Sequence, residues 1–172
     1  MFTIAKLTGL YDIARSLLNR VGEWLPQLFL RLILALEFGE AGFEKLHGNN
    51  WFADISFPFP FNLLPPDISW SVATYVEIIG ALALLIGLAT RFFSLSLMIL
   101  TVVAIITVHW PVEWNAWSEL FTGYRVTDTA GDGFGNYKLP LLFLIMLLPL
   151  LFSGAGKLSV DYWLRKHLNK KP

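Results

Sequence analysis

The chain has 172 residues, with 13 Lys plus Arg against 13 Asp plus Glu, so it carries no net charge and no basic field that would point to nucleic acid. Its residues are 55% hydrophobic and only 15% charged, a balance too apolar for a soluble domain of this size and suited to a surface in contact with lipid. Cysteine is absent, which excludes disulfides, thiolate metal sites and cysteine nucleophiles.

Residues 1–24 lack the short basic start and compact apolar stretch of a cleavable signal, so they are expected to be retained. Leu7, Leu10, Tyr11, Ala14, Leu17, Leu18 and Val21 recur at i, i+3, i+4, i+7 spacing, with Lys6, Asp12, Arg15, Asn19 and Arg20 filling most of the opposite side. That pattern predicts an amphipathic helix lying on a membrane surface. Four apolar runs of spanning length follow: about Leu25 to Leu46, Trp70 to Ala89, Phe92 to Trp110, and Asn136 to Phe152. Pro140 suits the first turn of the last run, and Pro149 should kink or end it. Only Thr90 and Arg91 separate the second and third runs, which forces an antiparallel hairpin. The predicted fold is therefore all-α. It is a four-transmembrane-helix antiparallel bundle (residues 25–155) with an N-terminal amphipathic interfacial helix (1–24), two extracytoplasmic loops (47–69 and 111–137) and a basic cytoplasmic tail (156–172) holding a short helix.

Orientation follows from Lys and Arg. Lys6, Arg15, Arg20 and Arg91 and the tail's Lys157, Arg165, Lys166, Lys170 and Lys171 fall on one side; residues 48–69 hold no Lys or Arg. In the other long loop Arg125 stands against Glu113, Glu119, Asp128 and Asp132. The positive-inside rule then predicts both termini in the cytoplasm and both long loops outside. Trp51, Phe52, Phe57, Phe59, Phe61 and Trp70 crowd the first loop, and Trp110, Trp114, Trp117 and Phe121 the second. They read equally as interfacial anchors or as lid segments capping the outer end.

Ionisable side chains inside such runs are expensive. Glu37, Glu40, Glu44 and His47 fall within roughly 80° of arc on a helix at 100° per residue. Depth counting puts Glu77 about 10 Å below the outer boundary and His109 at the outer rim. Glu40, Glu44, His47, Glu77 and His109, with Glu37, are thus candidates to line one outward-opening pocket that binds a metal, another cation or a polar group, or relays protons. The plainer account pairs Glu77 or Glu40 with Lys45, which lies near 100° round the helix from Glu44 and so faces a neighbouring helix. Arg31, near the inner end, is expected to snorkel to the cytoplasmic interface. Gly80, Ala81, Ala83 and Gly87 permit close helix contact. The segment Asp128 to Gly133 reads as a polar turn rather than a calcium loop. No phosphate-binding loop, dinucleotide fingerprint or nucleophile elbow appears, and no catalytic residue is assigned.

Arg31 to Gly48, RLILALEFGEAGFEKLHG, resembles the first-span signature of the DoxX family of small four-helix membrane proteins, and Glu77 to Arg91, EIIGALALLIGLATR, resembles its second. EFGEAGFEKLHG, NWFADISFPFPFNLLPP, VHWPVEWN and FGNYKLPLLFLIMLLPLLFSG are similar to the branch linked to maturation of copper-binding, ribosomally made and modified peptides of the bufferin type. That resemblance implies an inner-membrane protein serving copper homeostasis or peptide maturation, beside a soluble peptide-modifying enzyme and its partner protein, with copper as candidate ligand. The family's name, which derives from thiosulfate:quinone oxidoreduction, implies a second setting, a quinone-associated accessory subunit with quinone as ligand. A third is a non-catalytic membrane scaffold for soluble partners.

Overall fold

The structure, a computed structural model, describes residues 2–110, 116–118 and 137–168. Among the described residues six helices of nine residues or more form where the apolar periodicity runs longest: α1 (Phe2–Gly22), α2 (Leu25–His47), α3 (Pro66–Ile86), α4 (Thr90–Ala104, prolonged by a π-helical turn over Ile105–His109), α5 (Lys138–Ser153) and α6 (Val160–Leu168). No strand occurs among the described residues, so the all-α class holds. The second loop's Trp114 and Phe121, its charges, and the Asp128 to Gly133 turn lie outside the described residues.

Two boundaries differ from the sequence expectation for physical reasons. α3 begins at Pro66 rather than Trp70, because Pro65 and Pro66 preset the backbone of its first turn and Asp67 offers negative charge to the N-terminal N–H groups. The hairpin turn is Gly87-Leu88-Ala89, with Thr90 already the first residue of α4. Gly87 takes the left-handed conformation (φ +71°). That lets Leu88 N–H donate to Ala83 O at 2.9 Å and Gly87 N–H donate to Leu84 O at 3.1 Å, a Schellman closure of α3.

α2 packs on α3, α3 on α4, α4 on α5, and α5 back on α2, closing a ring. Leu34, Ala35 and Phe38 of α2, Ala81 and Leu84 of α3, Leu97 of α4, and Leu147 and Leu150 of α5 fill its inner half. Pro66–Ile86 and Thr90–His109 are each long and apolar enough to cross a membrane. α2 and α5 depart from the four-span expectation. α2 carries Arg31, Glu37, Glu40, Glu44 and Lys45 within its 23 residues, and α5, though apolar, has only 16.

The hairpin end of the ring is tied by polar contacts across four segments. Arg31 is buried rather than snorkelling: Nη1 lies 3.4 Å from Leu84 O and Nη2 donates to Leu158 O at 2.6 Å. The guanidinium thereby reaches a carbonyl in the last turn of α3, where the helix dipole favours a cation, and a second in the segment before α6. Asp161, from the first turn of α6, accepts from Ala89 N–H (2.7 Å) and Thr90 N–H (2.9 Å), capping α4 from 71 residues away. Glu23 and Lys157 pair beside it, and the hydrogen bond to that carboxylate holds the Lys157 ammonium above the usual lysine pKa. Asp161→Ala should lower stability by about 1–2 kcal/mol through the lost cap, seen as an earlier thermal unfolding midpoint in detergent, with Asp161→Asn less affected because it keeps an acceptor.

Candidate functional site

Above the leucine core the ring opens into a cavity of about 510 Å³. α4 lines it from Ser96 to His109, a run of about 19 Å at helical rise. α2 contributes Glu37, Phe38, Ala41 and Lys45; α3 contributes Ser69, Val72, Ala73, Val76 and Glu77; α5 contributes Pro140 and Phe143. Trp51, Phe52, Phe57, Phe61 and Leu64 of the first loop close the end away from the core. The aromatic loop is thus a roof, the lid alternative of the sequence reading.

The roof is held locally. Asn50 Nδ2 donates to Asp67 Oδ1 at 2.6 Å and Asn50 Oδ1 accepts from Phe52 N–H at 2.9 Å, pinning the loop to the start of α3. Trp70 then meets Trp51 and Phe52 edge-on at centroid separations of 5.9 and 5.0 Å, and Phe52 meets Phe57 at 5.0 Å. Edge-to-face contacts of this kind add to the area they bury.

The walls are mostly apolar; Ser96, Thr101 and Thr107 turn their hydroxyls to carbonyls of their own helix, and four further polar stations remain. At mid-height Lys45 Nζ lies 2.9 Å from both Oε1 and Oε2 of Glu77, and 3.5 Å from Ala41 O. Glu77 is 3% exposed, and the Lys45 side chain reaches down from near the end of α2 to meet it. At the floor Glu37, half-buried, makes no hydrogen bond or ion pair among the described residues. Under the roof Ser69 Oγ is buried with no hydrogen-bond partner among the described residues. His109, on the π-helical turn, borders the roof end.

The structure divides the sequence candidates into two sets. Glu37, Lys45, Glu77 and His109 share the chamber, while Glu40, Glu44 and His47 are exposed and lie outside it. His47 Nδ1 donates back to Phe43 O at 2.9 Å. Helical phase explains the division. The buried face of α2 is centred on Arg31, Leu34, Phe38 and Gly42, and Glu40, Glu44 and His47 lie about 170° round from it. Glu37 sits at the shared edge. Among the described residues no three His, Asp or Glu side chains converge as a metal site requires. Ser69 escaped sequence reasoning, although its spacing to Ala73, Val76 and Gly80 (i, i+4, i+7, i+11) places it on the Glu77 face.

A family model for DoxX matches residues 27–110. A protein of Haemophilus influenzae that carries only the description "uncharacterized protein" is 45% identical over 148 residues, covering 85% of this chain and 87% of its own length. The chain belongs to the DoxX family. It is therefore a membrane protein, in agreement with its two apolar helices of spanning length. The DoxX match covers α2, α3, α4 and the aromatic roof, so all the chamber's polar stations fall within it. No solved structure matches the chain.

Proposed function

We propose that this DoxX-family protein binds, in its roofed chamber, an amphipathic ring-bearing molecule of the quinone class, as an accessory subunit to membrane redox chemistry. The observation that carries the reading is a large apolar, aromatic-roofed cavity in which the Ser69 hydroxyl is buried without a partner. A buried hydroxyl without a partner is costly, and a ligand carbonyl would relieve it. Aromatic and apolar walls with few polar groups are the usual form of a site for such a molecule. Ser69 would orient the ring, Phe52, Phe57 and Phe61 would pack against it, and the Lys45–Glu77 pair would present donors and charge at mid-height. A bound quinone supplies two-electron, two-proton chemistry; the chain's own part is to hold and orient it in a dry chamber.

In this reading α2 and α5 cross the membrane together with α3 and α4, in the inner membrane, with both termini cytoplasmic and the roof outside. The ring packing and the concentration of Lys and Arg at the α1–α6 end support that orientation. The copper setting implied by resemblance would need a converging ligand set. Glu40, Glu44 and His47 do not join Glu77 and His109, so the residues present do not fit a single copper centre. A role beside a soluble peptide-modifying enzyme and its partner protein, or as a scaffold for other soluble partners, makes no such demand on the chamber.

The test is solvent extraction of protein purified in mild detergent, followed by chromatography with redox detection. Quinone should accompany the wild type at near-stoichiometric level and fall sharply in Phe52→Ala and Lys45→Met. Protein that carries no quinone and gains no thermal stability from a soluble quinone analogue would overturn the reading.

A further inference from the structure

The chamber's side wall points to how its occupant arrives. α3 and α4 are tight at the hairpin and at Gly80, where a methyl group would stand 3.1 Å from Leu97 Cδ1. Beyond that level toward the roof Val72, Ala73 and Val76 of α3 and Ile99 and Leu100 of α4 line the cavity. Two of these residues are also on the outer surface, Val72 at 51% and Ile99 at 47% exposed. A shallow apolar hollow of about 310 Å³ runs down the outside, bordered by Ser71, Val72, Tyr75, Val76, Ile79 and Phe93. Val72 and Val76 border both spaces. The outer water side, by contrast, is covered by the ring cluster of Trp51, Phe52 and Trp70.

We infer that the gap between α3 and α4 is a lateral portal open to the bilayer, and that the occupant is a lipid-tailed amphiphile whose polar ring enters the chamber while its tail lies along the Val72–Val76–Ile79–Phe93 hollow. This rests on the ligand-chamber reading and adds to it the ligand's tail and its source. The hollow presents no side-chain charge, and both helices that flank the gap are long and apolar enough to cross a membrane, so a hydrocarbon tail there covers no charged group. A water-soluble ligand would need the aromatic roof to lift.

The chain has no cysteine, so single thiols report access cleanly. Ala73→Cys places one in the chamber wall, Ala53→Cys one on the exposed loop. Both variants, in zwitterionic phospholipid nanodiscs, are reacted with a long-chain alkyl maleimide dissolved in the lipid and with a sulfonated maleimide in the water. The ratio of alkyl to sulfonate rates at Ala73→Cys should exceed that at Ala53→Cys by about tenfold or more, because a sulfonate pays heavily to leave water. Ile99→Trp, or the smaller plug Ile99→Phe should the first not fold, should slow the alkyl reaction at Ala73→Cys severalfold. A sulfonate rate at Ala73→Cys equal to that on the loop would overturn the portal in favour of access through the roof. So would indifference to both plugs, or no reaction with either reagent. Quinone extraction is a separate readout: its failure with the labelling pattern intact removes the quinone and keeps a tailed-lipid portal, and the reverse result keeps the quinone and removes the portal.

Discussion

Lys45→Met is expected to destabilise the protein by on the order of 3 kcal/mol, because it leaves the Glu77 carboxylate buried with no counter-charge. The effect is asymmetric. Glu77→Gln removes the deeper charge and leaves an ammonium that can swing back toward water, since the Lys45 side chain is 18% exposed. It should cost about half as much. Lys45→Met combined with Glu77→Leu should recover most of the loss, since a buried ion pair seldom outperforms apolar groups of similar size. A double-mutant cycle by denaturant titration in detergent measures this. Equal stability of Lys45→Met and wild type would mean that the pair does not hold the two helices. The double variant also separates fold from function: it should be stable yet lose quinone, since the chamber then has no polar station at mid-height.

Gly87→Val should be the most damaging change at the hairpin end. The left-handed backbone there costs a side-chain-bearing residue about 1–2 kcal/mol, and an added Cβ would stand 2.0 Å from Arg31 Nη1 and 2.5 Å from Ser159 Cβ. The guanidinium would have to leave its carbonyls, adding the penalty of unpaired buried groups to a total of roughly 4 kcal/mol. Coupling identifies the cause. In an Arg31→Met background Gly87→Ala should retain the backbone cost of about 1 kcal/mol and the displacement of Ser159, whose Cβ would still stand 2.5 Å away, whereas in the native background the clash with Arg31 adds to both. Strictly additive effects would show that Arg31 is not seated against the turn.

The sequence disclosed what depends on local period and composition. Apolar runs placed α2, α3, α4 and α5 within a few residues, and the amphipathic pattern placed α1, because these follow from the apolar stripe each helix presents. What it did not disclose depends on rotation about a helix axis and on partners far along the chain. The acidic stripe Glu37–Glu40–Glu44–His47 is a true helical face, but nothing in the stripe says whether it turns toward the core. The apolar residues that decide this, Leu34, Phe38 and Ala35, are matched on the other side by Phe29, Ile33 and Leu36. Lys45 was legible as facing a neighbour, since its phase falls with Phe38 and Ala41, and it meets Glu77 there. Arg31 followed a different rule. Snorkelling assumes that water is the nearest polar environment, whereas the carbonyls of Leu84 and Leu158 are nearer. No window of sequence around Arg31 contains them.

Asp161 supplies the N-terminal cap of a helix that begins 71 residues before it. During synthesis the middle hairpin therefore emerges with two of its amide groups bonded to water in place of the Asp161 carboxylate. Only when the last segment leaves the ribosome can the carboxylate arrive and complete the turn. The order of manufacture thus ends on that contact: a nascent chain cut short before Asp161 would hold its apolar helices yet lack the cap at the hairpin.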